Sequence, residues 1–459
     1  MNANSTLRVV DLFCGLGGFH SALRRLGHEC VFACEIDSGL REIYELNHEM
    51  RPASDIRFAW KDIPEHDVLC AGFPCQPFSK AGSQKGFECS HSGDLFDYIL
   101  KVIDRHSPKY LIFENVPNML NHNGGETWTK MQDSLRVRGY DTDTKELSPH
   151  HFGVPQIRPR AIIVGVRGGL GDFQWPAPDT SASSDVHLSN ILDTKPNDSH
   201  YLTDDYLEYL QVWEEFLTII PKSAKMPSFP IWSMEFGANY PVERGTPHTY
   251  DQKSLASFKG MFGDSLKGMS KTAQIQSLPV YARSTTDTFP HWKSRFILQN
   301  RAFYQEHQGK LKQWLPKVRR FSPSFQKFEW NWQAGSRTIW DKVVQFRASG
   351  IRVKNPATAP SLVALTTSQI PVIAWEKRYM TMRECARLQS MSDLNSLPES
   401  KTRAFKALGN AVNVDVIEKV AANLFAASNL PKSNASMPNN PRAFSNRLDE
   451  DAPKISIVV

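Results

Sequence analysis

The sequence predicts an open α/β sheet, mainly parallel, interrupted by an irregular second domain and completed by C-terminal helices. Three observations predict it. Residues 8–166 alternate short β-branched runs with helical stretches, the rhythm of strands joined by crossover helices. From about Trp175 the rhythm stops, and residues 176–360 are rich in Pro, Ser, Thr and aromatics without a sustained period. Order resumes near Ala364 and gives way after Ala427 to a Ser-, Asn- and Pro-rich stretch. The expected divisions are 1–175, 176–360, 361–427 and a tail at 428–459 too polar to pack.

The elements follow in order. Arg8 to Phe13 predicts a strand, Gly18 to Leu26 a helix, Glu29 to Cys34 a second strand and Ser38 to Asn47 a helix. Val68 to Ala71, Tyr110 to Phe113 and Ala161 to Val166 are further apolar strands, with a helix from about Asp94 to Arg105. Thr381 with Glu384 three residues on forms a capping box that starts a helix to Leu388. Arg403 to Phe425 contains another helix.

Composition narrows the class. With 459 residues, 41% hydrophobic and 22% charged, the chain has the make-up of a globular enzyme. No run approaches the roughly 18 uninterrupted apolar residues a membrane span needs. The start, MNANSTLRVVDLF, lacks the basic flank and apolar run of a secretory leader, so the expected compartment is the cytoplasm. The seven cysteines include no CxxC pair and no zinc spacing, so free thiols and no metal are expected.

The net charge of +6 is mild, but its distribution is uneven. Residues 176–250 hold 4 Lys and Arg against 11 Asp and Glu, whereas residues 251–360 hold 19 against 6. The basic stretch is interleaved with aromatics such as Trp292, Trp314 and Trp330. That pattern suggests a polyanion partner, because each neutralised phosphate releases counterions; a solvated basic face over an aromatic core is the alternative. Arg319 and Arg320 are the expected polyanion-facing cations.

Six segments carry chemistry. In VVDLFCGLGGF (9–19) a strand enters Gly15, Gly17 and Gly18 and then a helix, so main-chain amides can approach a ligand closely. Glu35 in CEID ends the second strand, where an acid can hold both ribose hydroxyls. Asp62, followed by Ile63 in KDIPEHD, stands near the end of a possible third strand and suits an adenine amino group. Together they indicate an adenosine-containing cofactor without separating a nicotinamide dinucleotide from S-adenosylmethionine.

The separation comes from VLCAGFPCQPFS (68–79), where an apolar strand enters a proline-framed turn holding Cys75. Cysteine is soft, partly ionised near neutral pH and able to leave again, which suits addition to C6 of a pyrimidine. Glu114 in FENVPNML (113–120) ends the next strand and can hold cytosine N3, with partial desolvation raising its pKa. In VPQIRPRAIIVGV (154–166), Arg158 and Arg160 fall two residues apart on one side of an extended strand, both able to aim at one anion or carbonyl.

These segments, in this order, resemble the cytosine-5 DNA methyltransferases of bacterial restriction–modification systems. DLFCGLGGF, CEID, KDI and GFPCQPFS resemble the family's first four landmarks; SGDLFDYI (92–99), FENVPNML and QIRPR resemble the next. RYMTMRECARLQSM (378–391) and KALGNAVNVDV (406–416) look like the last two, so the likeness covers about 8–166 and 362–425. It implies a Rossmann-like S-adenosylmethionine-dependent methyltransferase domain, with 176–360 as an inserted target-recognition domain.

By that resemblance Phe13 stacks near the adenosyl group beside Gly15 and Gly17, Glu35 binds the ribose, and Ile36 packs on adenine. Asp62 with Ile63 takes the adenine amino group, while Asn410 and Val412 close the site. Cys75 is the nucleophile, Glu114 the N3 partner, and Arg160 with Arg158 orient the base. The polar loop Gln76 to Ser92 resembles the segment that closes over a flipped base. The implied partner is double-stranded DNA, the expected state a monomer, with a cognate endonuclease acting separately. An RNA-acting relative of the same fold is the alternative.

Overall fold

A computed structural model describes residues 6–74, 93–179, 186–196, 198–333, 335–363 and 369–427. Cys75, the loop 76–92 and the tail 428–459 therefore lie outside the described residues. Among the described residues, six strands form the first sheet: β1 (Arg8–Leu12), β2 (Glu29–Cys34), β3 (Val68–Ala71), β4 (Tyr110–Asn115), β5 (Tyr140–Leu147) and β7 (Arg160–Arg167). Their order is β2-β1-β3-β4-β7-β5. Pairings β1–β2, β1–β3 and β3–β4 are parallel, and β4–β7 and β5–β7 antiparallel. The mainly parallel sheet expected from the sequence is present.

Each central strand is buried on both faces, as its continuous apolar run requires. Helices Gly18–Arg25 and Val414–Ala427 pack together on one face, with Arg25 of the first bonded to Asp415 of the second. The last helix thus returns to the first, closing the sheet with residues nearly four hundred positions downstream. Helix Met382–Leu388 carries the expected capping box between Thr381 and Glu384. The Glu384 carboxylate also receives the buried Arg378 guanidinium at 2.8 and 2.9 Å.

A second sheet is more regular than its composition suggests. Its order is β8-β15-β14-β11-β12-β10-β9. The strands are β8 (His200–Tyr201), β9 (Ile231–Trp232), β10 (Lys327–Trp330), β11 (Val343–Arg347), β12 (Gly350–Lys354), β14 (Val372–Ile373) and β15 (Arg378–Tyr379). Helices Asp204–Ile219 and His291–Arg319 pack against one face of it. Rings organise that core: Trp213 stacks on Phe328 with centroids 4.6 Å apart and meets Trp314 edge-on at 5.0 Å.

Two expectations are corrected. The boundary at residue 360 cuts through this sheet, because β14 and β15 extend it to Tyr379. The opposite charges of 176–250 and 251–360 also face one another. Lys317 pairs with Glu215, Arg320 with Glu208 and Arg301 with Glu235, while Arg319 pairs with Asp264. Arg319 and Arg320 are thus each paired with a carboxylate, and most of the aromatics interleaved with the basic stretch are core. The two parts are joined by a short parallel pair, β6 (Gln156–Ile157) with β13 (Ala359–Pro360).

Candidate active site and cofactor pocket

Register across the first sheet brings the candidate residues into one row. Cys34, Leu12, Ala71 and Phe113 are successive partners across β2, β1, β3 and β4. The residues that follow them at the strands' C-terminal edge are Glu35, Phe13, Gly72 and Glu114. At about 4.8 Å per strand, the row spans roughly 14 Å. Ligands of open α/β sheets bind at this edge. The four motifs, scattered over a hundred residues, converge here.

At one end the glycine turn is held by unusual backbone. Phe13, Gly15 and Gly17 have φ of 58°, 53° and 83°. A Cβ on Gly17 would lie 2.3 Å from His48 Nε2, and one on Gly18 would lie 2.7 Å from the Val412 carbonyl oxygen. Glycine is therefore demanded at both positions. Glu35 caps the turn: its carboxylate accepts from the Gly15 N–H at 3.0 Å and the Asp37 N–H at 2.9 Å. Burial pushes the Glu35 pKa upward, and those amides oppose the shift.

Ile36 beside it is an apolar side chain left 68% exposed. Asp62 is exposed and ends a 3-10 turn, Trp60–Asp62, rather than the strand end expected; buried Ile63 anchors that turn below it. A half-buried carboxylate, an uncovered apolar surface and a second, free-standing acid match the needs of an adenosine moiety: a diol, a ring face and an amino group.

At the other end, Glu114 is 8% exposed and its Oε1 lies 2.8 Å from Arg160 Nε. Burial raises the Glu114 pKa, opposed by the charges of Arg160 and Arg158. Asn115 donates to the Phe73 carbonyl at 3.3 Å, which ties the Glu114 strand to the segment leading toward Cys75. Both arginines line one narrow cavity with Glu114 and Val412.

The two arginines are anchored differently. Arg158 is 1% exposed and its guanidinium donates to the Leu362, Gly409 and Ala411 carbonyls at 2.8 to 3.1 Å and to Ser361 Oγ. It clasps the C-terminal segment against the sheet. That clasp fixes the end of helix Lys401–Asn410, where Asn410 is exposed, and the following Val412, which packs on Gly18 and Gly72. Arg160 stays half-buried beside Glu114.

Sequence reasoning missed the layer beneath the glycine turn. Asp11 is fully buried, its Oδ2 accepts the His20 N–H at 3.3 Å, and burial lifts its pKa to about 8. His20 stacks on His48 at 4.3 Å and meets the Tyr44 hydroxyl at 2.7 Å, while His48 Nε2 reaches the Leu16 carbonyl at 3.1 Å. Nothing in the sequence brings these residues together; only helix Ser38–His48 folding behind the turn does.

Comparisons with known proteins bear directly on this row of strand tips. The family model for C-5 cytosine-specific DNA methylases matches residues 7–426. The chain belongs to that family. It is a DNA (cytosine-5-)-methyltransferase of the restriction–modification type. Type II methyltransferase M.AluI of Cellulosimicrobium cellulans is 28% identical over 91% of this chain and 92% of its own. M.BanI of Aneurinibacillus aneurinilyticus is 29% identical over 91% and 96%. M.HhaI of Haemophilus parahaemolyticus reaches 42%, but over 38% of this chain and 53% of its own. The solved S. pombe Dnmt2 methyltransferase aligns at 17% identity and a TM-score of 0.46, covering 92% of this chain and all of that one. No helix among the described residues is long and apolar enough to cross a membrane.

Proposed function

We propose that the row of strand tips is the catalytic centre of this methylase and that its methyl donor is S-adenosylmethionine. The observation that carries the proposal is the shared register, with Glu35 and the glycine turn at one end, the buried Glu114–Arg160 pair at the other and Gly72 between them. S-adenosylmethionine supplies an electrophilic methyl group on a sulfonium. Glu35 takes the ribose hydroxyls, Phe13 and Ile36 flank the adenine, and Asp62 with Ile63 meets its amino group. Gly15 and Gly17 let the backbone come close, and Asn410 and Val412 wall the pocket from the C-terminal side.

The target cytosine leaves the helix to reach this site. Glu114, its pKa raised by burial, holds N3 and gives it a proton as the ring accepts a nucleophile. Cys75, as thiolate, bonds to C6. C5 would take the methyl group that S-adenosylmethionine supplies, leaving S-adenosylhomocysteine; loss of the C5 proton to a base, departure of the Cys75 thiolate from C6 and return of the N3 proton to Glu114 would restore the ring. Arg160 orients Glu114 and the base, and Arg158 positions the wall of the pocket. Residues 176–360, with the strands that complete their sheet, select the DNA sequence.

The enzyme acts as a cytoplasmic monomer, alongside an endonuclease of the same specificity. Bisulfite sequencing of host DNA with and without the chain tests the reaction and reports its sequence context. Full activity of Cys75→Ser would refute the covalent route.

A further inference from the structure

The second sheet has two unlike faces. Strands β10 to β12 alternate as half-buried strands do. Phe328, Trp330, Phe346, Ile351 and Val353 enter the aromatic core. The opposite side is charged around a buried centre: Glu329 pairs in register with Arg352, Arg352 with buried Gln345, and Lys354 with buried Val343, while Arg347 sits on the same side at the other end. All of these cations are half-buried.

The charges on this face do not cancel. Arg352 donates to Glu329, the carboxylate that also faces Arg347 and Lys354. After burial, the largest influence on Arg347 is its repulsion from Arg352, and Lys354 feels both arginines. Three cations thus share one acid in a partly desolvated setting, where attraction for an added anion is strong. Elsewhere in the basic stretch, Arg301, Lys317, Arg319 and Arg320 each have a carboxylate partner, whereas Lys253, Lys259, Lys267, Lys310 and Lys312 are single exposed cations outside this shared cluster.

Chain connectivity places the face near the chemistry. Lys354 ends β12, and Ala359 begins β13, paired directly with Gln156 just upstream of Arg158 and Arg160. Five Cα steps cover at most about 19 Å.

We propose that Arg347, Arg352 and Lys354 seat the phosphate backbone of duplex DNA beside the target cytosine. The inference rests on the DNA-methylase reading and names the surface that grips the substrate. Affinity of the full-length chain for a duplex carrying its mapped methylation sequence is measured by fluorescence anisotropy from 50 to 200 mM salt. Replacing Arg347 and Lys354 together by Gln lowers the slope of log affinity against log salt by about 1.8, and Lys354→Gln alone by about 0.9. Over that range the double variant loses about 12-fold less affinity than the parent.

The Michaelis constant for DNA rises, whereas turnover at saturating DNA and the Michaelis constant for S-adenosylmethionine hold. Lys354→Arg keeps the parental slope, and an unchanged melting temperature shows that the variants fold. Arg319→Gln with Arg320→Gln shifts the slope less than the double variant does. A parental slope in the double variant overturns the inference, as does a slope change seen with duplex RNA but not DNA. If the parent chain methylates DNA while the variants keep its slope, this surface alone is wrong. If the parent leaves DNA unmethylated, the underlying reading falls first.

Discussion

Asp11→Asn isolates the energetic cost of the carboxyl beneath the glycine turn. Asp11 is fully buried, and its pKa rises from 3.8 to about 8 chiefly by desolvation, with the neighbouring Glu35 charge adding to the shift and the His20 amide opposing it. The folded state therefore prefers the neutral acid. Its stabilising effect is fully present below the unfolded pKa, near 3.8, and is lost as pH climbs through about 8. Between pH 5 and 8 the unfolded chain is already ionised, whereas the folded one changes from protonated to half-ionised. At ~1.36 kcal/mol per pKa unit the loss comes to about 4 kcal/mol. Asparagine keeps the shape and does not titrate. Urea unfolding at pH 5 and pH 8, followed by circular dichroism, reads both chains. The parent should lose about 4 kcal/mol more than the variant between the two pH values. Equal losses would refute the neutral buried acid.

Other perturbations test the site. Glu114→Gln removes the proton held beside N3; turnover should fall by about 10²-fold or more, and the pH–rate inflection set by Glu114 should vanish, while binding of S-adenosylmethionine by calorimetry is unchanged. Arg158→Met strands buried carbonyls of Leu362, Gly409 and Ala411, so thermal unfolding should report a loss of about 3 kcal/mol or more, with a raised Michaelis constant for S-adenosylmethionine. An unaltered melting temperature would contradict the clasp. Gly17→Ala should weaken S-adenosylmethionine binding through its clash with His48 and its φ of 83°. Adding His48→Ala should restore part of that affinity, leaving about 1 kcal/mol of left-handed backbone strain.

The sequence exposes what is local. Strands β1 to β4 are short apolar runs, and Glu35 and Glu114 directly follow such runs, so their place at the sheet's edge is readable from neighbours alone. Strand β5 escapes because YDTDTKEL is polar along an edge, with burial confined to its two ends. The clasp of Arg158 is unreadable, since its partners lie more than two hundred residues away. Asp62 is misplaced because a 3-10 turn carries no periodic signal. Charge counting misleads for a related reason: a linear tally cannot show that Lys317 meets Glu215 and Arg320 meets Glu208, or that Arg347, Arg352 and Lys354 share one side of β11 and β12.

The partition of the second sheet bears on how specificity could be transplanted between relatives. A chimaera cut at 175 and 360 would take β11 and β12 from one parent and leave β14 and β15, hydrogen-bonded to β11, in the other. Mismatched side chains would then meet along a severed ladder. Junctions placed after Tyr379 would move the graft as one hydrogen-bonded body, but would carry along Arg378, whose guanidinium must still find Glu384 on the recipient side.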